Sequence, residues 1–256
     1  MENRNYLIYL SVKYHGDWDQ IFRAMREKEE CDDEDVLRVV SSLKCNTLTF
    51  IDEEYPPSLK MVYQPPIVLY YWGDISLINN ISNNLGIVGS RDASPDILEK
   101  TREIVHELDK DLIIVSGLAY GVDGMAHRAA IESNHKTIAI LGSGLDTCYP
   151  SKNRDLYDII KRDHLLMSEY PIGESPRQDY FPRRNRIIMG LSSRIFVPAA
   201  KIKSGTSITI MYANDSGRDV CCLPSVDYGE SACNLAIKHG AILVENAEDI
   251  NLLFGK

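Results

Sequence analysis

The sequence is short of several features that define common function classes. It holds no GxxxxGK[ST] loop, no HExxH pair and no GxSxG elbow, so Walker-type ATP binding, zincin proteolysis and α/β-hydrolase chemistry lack support. The six cysteines, at 31, 45, 148, 221, 222 and 233, form neither a CxxC pair nor a framework spacing. Cys221-Cys222 lies inside an apolar run, so free buried thiols are expected rather than disulfides or a metal site. Charges interrupt every apolar run before membrane-spanning length, in keeping with a mean hydropathy of -0.21. The opening MENRNYLIYLSVKYHGD is too polar around its apolar stretch, and too poor in cleavage signals, for a secretory leader. A cytoplasmic protein without membrane association is expected, and no internal repeat or low-complexity stretch is visible.

What is present fits a globular chain. Of its 256 residues, 44% are hydrophobic and 25% charged, enough for one sizeable α/β core with a small appendage. The net charge of -9 argues against a wholly basic nucleic-acid binder. It hides an asymmetry, however: residues 1–60 carry 8 basic and 13 acidic groups, and 171–204 carry 7 basic and 2 acidic. A local basic face is what electrostatic recognition of phosphate requires.

Residues 4–45 read as helical, with Trp18, Ile21, Phe22, Met25 and then Val36, Leu37, Val40, Leu43 at helical spacing. Between the two sets, CDDED is an acidic turn suited to an N-cap. Pro56, Pro57, Pro65 and Pro66 then break any helix, which puts a boundary near residue 60. The expectation is a small helical accessory domain and linker over 1–60, followed by a Rossmann-like domain over 61–256.

From residue 66 short apolar strands alternate with helices. The strands are expected at 67–72, 85–90, 112–116, 137–141, 165–169, 194–199, 219–224 and 241–245, nearly all of them continuous apolar runs. Such runs mark strands buried on both faces, so the fold class is α/β: an extended Rossmann-like, doubly wound, mostly parallel sheet. Ligands of such sheets bind in the loops that follow the strands. Four of those loops are rich in glycine and small polar residues: Gly89-Ser90-Arg91, Ser116-Gly117, Gly142-Ser143-Gly144 and Ser204-Gly205-Thr206. Ser94-Pro95 makes an N-cap and first-turn pair for the helix after the first loop, whose free amides and Arg91 suit an anion. Ordinary tight turns are the plain alternative for any single loop.

Three other features are weaker. GSGLDT at 142–147 matches a dinucleotide fingerprint only in part, because Thr147 stands at the third glycine, and Glu169 comes late for a ribose-binding acid. Asp123 and His127 share a helix face and are read as a structural pair in preference to a catalytic dyad. Cys233 and His239 are read as core and surface residues. The basic segment FPRRNRIIMGLSSRIFVPAAKIKSGT carries more information. Arg183, Arg184 and Arg186 crowd a helix start, where they oppose the helix dipole unless a phosphate lies between. Salt bridging to the acidic N-terminal segment is the structural alternative.

Together these motifs resemble the DNA-processing protein A (DprA/Smf) family over roughly residues 55–250. They are YPPSL, PPIVLYYWGD, IVGSR, VSGLAYGVDGMAH, TIAILGSGLDTCYP, SEYPIGESP, FPRRNRIIMGLS, SGTSIT, GRDVCCLP and NLAIKHGAILV, in that order. The resemblance implies a homodimer that binds single-stranded DNA, protects it and passes it to a RecA-type recombinase, with no catalytic residue, cofactor or metal. The family's phosphate pocket implies Arg91 and Lys152 as DNA contacts. Asn153, Arg184, Asn185, Arg186 and Ser204-Gly205-Thr206 would line the same basin, with Gly89, Ser90, Ser116, Gly117, Gly142 and Gly144 supplying backbone approach. Tyr149, Tyr180 and Phe181 are candidate faces for unstacked bases.

Departures from the family pattern fall at Ser225 and Ala232, and no winged-helix domain is expected after Lys256. A second class stays open, because the same Rossmann subgroup resembles N-glycosidic hydrolases of nucleoside monophosphates and nucleotide-signal sensors. The hydrolases show GGxGTxxE, and SGTSIT at 204–209 has no following glutamate.

Overall fold

The computed structural model describes residues 3–207, 210, 213, 217–227 and 229–256. Three short helices come first: α1 (Asn3–Lys13), α2 (Trp18–Glu27) and α3 (Asp33–Ser42). Their ends follow local chemistry. Asp17 accepts from the Gln20 amide at 2.9 Å to start α2, and Lys28 closes it in the left-handed region at φ 52°. Asp32, from the acidic turn, accepts from the Glu34 amide at 2.9 Å to start α3.

A strand not anticipated from the sequence, β1 (Asn46–Thr49), then pairs antiparallel with β2 (Val68–Gly73), after the single turn α4 (Pro57–Lys60). The rest alternates: β3 (Asn84–Ile87), α5 (Pro95–Glu107), β4 (Ile113–Ser116), α6 (Val122–Glu132), β5 (Thr137–Leu141), α7 (Arg154–Asp163), β6 (Leu165–Ser168), α8 (Tyr180–Gly190) and β7 (Arg194–Val197). It closes with β8 (Asp219–Cys222), the helix Ala232–Lys238, β9 (Ile242–Leu243) and the helix Ala247–Leu253.

The nine strands form one sheet in the order β1-β2-β6-β5-β4-β3-β7-β8-β9. Strands β3 to β9 run parallel to their neighbours, whereas β2 meets β6 antiparallel. The extended, mostly parallel sheet is therefore present, with an antiparallel edge of two strands. Strand ends fall short of the apolar runs, the regular strand within 85–90 ending at Ile87 and that within 194–199 at Val197. Beyond those points the chain turns into the glycine-rich loops.

Burial alternates along the strands as two covered faces require. Ile114 packs with α5 and α6 on one face while Val115 points to the other; Phe196 and Cys221 likewise oppose Val197 and Cys222. The N-terminal helices cover the far end of the first face, the one that carries Ile114. Leu7, Ile8 and Leu10 pack with Val68, Tyr70, Tyr157 and Leu166, and the Tyr70 hydroxyl donates to Ser11 Oγ at 3.0 Å. The sheet itself thus crosses residue 60, through β1. All six cysteines are free, with Cys221, Cys222 and Cys233 buried and the other three half-buried.

Chain order reverses between β3 and β7: β4, β5 and β6 lie to one side of β3, and β7, β8 and β9 to the other. A doubly wound sheet opens its crevice at such a switch, outside the strand ends. The two loops bordering it are Gly89-Ser90-Arg91 after β3 and Lys201–Thr206 after β7.

Candidate nucleic-acid interface

A cavity of about 530 Å³ occupies that switch point. Its wall on the β3 side is held rigidly. The Ser90 amide donates to Ala199 O at 2.8 Å and Ser90 O accepts from the Val122 amide at 3.2 Å, so the loop is clamped between β7 and α6. Gly121 (φ 70°) lets the α6 start approach; a Cβ there would lie 2.2 Å from Ser90 O. Ser94 caps α5 through the Ile97 amide at 3.4 Å, with Pro95 following, as anticipated. Clamped in this way, the loop leaves Arg91 exposed, its guanidinium 4.9 Å above the Phe181 ring.

The predicted residues divide into two sets. Gly89, Ser90, Arg91, Arg184, Asn185, Ser204, Gly205 and Thr206 line the cavity together. Ser116, Gly117, Gly142, Gly144, Lys152, Asn153 and Arg186 do not. Each of the latter has a visible reason. Ser116 Oγ is buried and donates to Ile87 O at 2.6 Å. Phe181 covers Gly142, and a Cβ on Gly144 would lie 2.5 Å from Pro171 O. Asn153 Nδ2 donates to Leu118 O and Ala119 O at 3.0 and 3.1 Å, and Lys152 is exposed beyond the rim.

The arginines differ most from their sequence reading. Arg184 is only 3% exposed, so it is no surface charge. Its Nη1 donates to Gly117 O and Ile140 O, Nε donates to Asn185 Oδ1 at 3.1 Å, and Nη2 stands 3.9 Å from Asp123. Its acidic neighbour is therefore Asp123 of α6 and not the N-terminal segment. Burial lowers the guanidinium to about 10, with Asp123 pulling it back up, so it keeps its proton. Arg186 donates to Gln64 O at 2.9 Å and to Glu169 at 2.5 Å, tying α8 to the chain before β2. Glu169, considered for a ribose, is spent on this pair.

Asp123 and His127 do not bond to each other. Asp123 is buried and accepts from the amides of Gly89 and Gly117; burial raises its carboxyl, and Arg184 with these amides opposes the rise. His127 Nδ1 lies 2.7 Å from Thr137 Oγ1, and burial holds the ring down to about 3, so it stays neutral. Among the aromatics, Tyr180 is buried and stacked on Tyr170 at 3.7 Å, a core position. Tyr149 is 45% exposed and meets Phe181 at 5.5 Å, leaving a ring face at the cavity's lip.

Sequence reasoning missed Lys201, Gln178 and Asp123 as lining residues. Lys201 had a signal, standing three residues before the Ser204-Gly205-Thr206 loop in the basic segment. At the departures, the Ser225 amide donates to Asn234 Oδ1 at 2.9 Å and Asn234 Nδ2 donates to Ser225 O at 2.7 Å, so backbone contacts shape the turn. Ala232 is buried, its amide on Ala200 O at 2.8 Å. The end of SGTSIT, residues 208 and 209, lies outside the described residues. None of the described helices is long and apolar enough to cross a membrane.

Comparison with known proteins gives a consistent answer. The family model for DNA recombination-mediator protein A matches residues 46–254. DNA processing protein DprA of Streptococcus pneumoniae is 40% identical over 209 residues, covering 81% of this chain and 73% of the relative. Protein Smf of Escherichia coli is 38% identical over 210 residues, 79% of this chain but 55% of its own length. Among solved structures, the X-ray structure of DNA processing protein A from Streptococcus pneumoniae superposes with a TM-score of 0.81 at 35% identity, over 97% of this chain and 92% of that one. DNA processing protein A from Helicobacter pylori, a structure concerned with that protein's single-stranded DNA binding mode, gives 0.74 at 28% identity, over 83% and 96%. With a family model spanning most of its length and relatives at this identity, the chain belongs to the DNA recombination-mediator protein A family, the DprA/Smf proteins.

Proposed function

We propose that this protein binds single-stranded DNA in the switch-point cavity without reading its sequence, and acts as a recombination mediator in the cytoplasm. The observation that carries this reading is the pair Arg91 and Lys201, which line the cavity and whose side chains make no hydrogen bond or ion pair among the described residues. Uncommitted cations facing small polar loops suit phosphate oxygens, and the Phe181–Tyr149 rings beside them suit unstacked bases. Lys152 and Lys203, exposed and likewise unpaired among the described residues, extend the positive rim. Arg184 and Arg186 shape the site from beneath.

Family membership supports a RecA-type recombinase as the protein partner. A homodimer is supported by Leu235 and Leu243, 45% and 47% exposed on the helix Ala232–Lys238 and on the two-residue edge strand β9. The helices before β1 lie outside the 46–254 family match and serve an accessory role.

The test is binding of labelled oligothymidylate and a mixed-sequence strand to the wild type and to the Arg91→Ala, Lys201→Ala double variant. Similar affinities for both strands, lost at least tenfold in the double variant, are expected. Unaltered binding in that variant removes the site from this cavity, and no binding by the wild type removes the function.

A further inference from the structure

Tyr120 is 41% exposed, and its side chain makes no hydrogen bond or ring contact among the described residues. The backbone on either side of it is fixed. Leu118 O and Ala119 O both accept from Asn153 Nδ2, at 3.0 and 3.1 Å, and Leu118, fully buried, takes the left-handed region at φ 56°. On the other side the Val122 amide donates to Ser90 O at 3.2 Å, and a Cβ on Gly121 would lie 2.7 Å from Arg91 O. Tyr120 therefore stands at the tip of a turn pinned to Asn153 before it and to the Gly89-Ser90-Arg91 loop after it.

These contacts make Tyr120 part of the cavity's rim. Arg91 lies 4.9 Å over Phe181, and Phe181 meets Tyr149 at 5.5 Å. Tyr149 leads through Pro150 and Ser151 to Lys152 and Asn153, and Asn153 holds Ala119, itself a lining residue. Tyr120 closes this circuit back to Arg91. It thus sits between Arg91 and Lys152, two cations whose side chains make no hydrogen bond or ion pair among the described residues. Along a single strand a base lies between successive phosphates, so a bare ring between two phosphate-seeking cations is where a base falls.

We propose that Tyr120 is the stacking platform of a further nucleotide subsite, which takes an unstacked base just outside the cavity while the flanking phosphates meet Arg91 and Lys152. This rests on the single-strand reading above. Every base has a π-face, so the subsite adds affinity without reading sequence. The pinned turn holds the ring in place beforehand, and little ordering is lost on binding. A tyrosine that only shields the start of α6 contributes to folding and to nothing that depends on bases. One whose hydroxyl bonds a phosphate cannot be replaced by phenylalanine.

The probes are oligothymidylate and an abasic strand of the same length, which keeps the phosphates and lacks the bases. Tyr120→Ala should weaken oligothymidylate by about tenfold, the scale of one base stacked on one ring, and leave the abasic strand within about twofold. Its log–log salt slope should match the wild type, because no phosphate contact is removed, and Tyr120→Phe should bind as the wild type does. In Tyr120→Trp, oligothymidylate should quench emission beyond what Trp18 and Trp72 lose in the wild type, and the abasic strand should not. Unaltered oligothymidylate affinity in Tyr120→Ala overturns the proposal, as does an equal loss for both strands or a loss in Tyr120→Phe. Should Tyr120→Ala fail to fold, Tyr120→Trp decides, and no added quenching overturns the subsite. If the wild type does not bind oligothymidylate, the functional reading falls and the subsite with it; wild-type binding that no Tyr120 variant alters removes the subsite alone.

Discussion

Arg184 and Gly117 are in direct contact: Nη1 of the arginine donates to the glycine carbonyl at 2.5 Å, and a Cβ on Gly117 would stand 2.1 Å from that nitrogen. The glycine is thus required by the arginine, which threads past it to reach Ile140 O and face Asp123.

This contact makes Arg184 a stability residue. Arg184→Ala leaves Asp123 buried without its counter-charge, a loss of about 3–5 kcal/mol, or roughly 6–20 °C in melting temperature for a chain of this size. Gly117→Ala should destabilise in the same direction, since the flanking strand end cannot retreat. Thermal melts that match the wild type in both variants would refute the bracing role.

Arg91→Ala and Lys201→Ala should behave oppositely. Both cations are exposed and unpaired among the described residues, so melting temperatures stay within about 2 °C of wild type. Single-strand affinity falls, and each variant makes the log–log salt dependence shallower by about 0.7, one phosphate contact. Arg186→Ala, removing the bonds to Gln64 O and Glu169, should lower the melting temperature with the salt slope intact. A reduced slope in Arg186→Ala with a normal melt reverses this assignment.

Stability should fall on mild acidification. Burial depresses His127 to about 3, against about 6.5 in an unfolded chain. Between those values the unfolded state binds the extra proton, so the contribution is complete above about pH 6.5 and drains away as pH falls toward 3. At about pH 5 this histidine alone accounts for about 2 kcal/mol. His135 and His164, also lowered by burial, add to the loss; Asp123, raised by burial, works against it. Melts of the wild type and His127→Gln between about pH 7.5 and 5 should show a shallower decline in the variant, and parallel declines would exclude His127 as a source.

The proposed dimer gives a further test. Leu235→Glu with Leu243→Glu places charge on the exposed apolar face at the β9 edge, and light scattering should then report a monomer with an unchanged melt. A dimeric mass persisting in the double variant places the interface elsewhere.

Local pattern alone determined a good deal here. Continuous apolar runs such as TIAIL and RIFVP can be satisfied only by strands covered on both faces, and Ser94-Pro95 or Asp32 can cap a helix with atoms of their own neighbourhood. The doubly wound sheet and the placement of Gly89-Ser90-Arg91 and Ser204-Gly205-Thr206 in loops after strands were legible for that reason. NTLT at 46–49 was not, because four residues acquire strand character only by pairing with β2. Nor did the sequence separate the arginines. Arg91, Arg184 and Arg186 carry the same charge in similar glycine- and arginine-rich settings, but which one meets solvent depends on carbonyls and carboxylates far away in the chain: Gly117, Ile140 and Asp123 for Arg184, Gln64 and Glu169 for Arg186. A buried charge must find partners and an exposed one need not, so tertiary packing decided which arginines hold the cavity together and which one was left exposed at its wall.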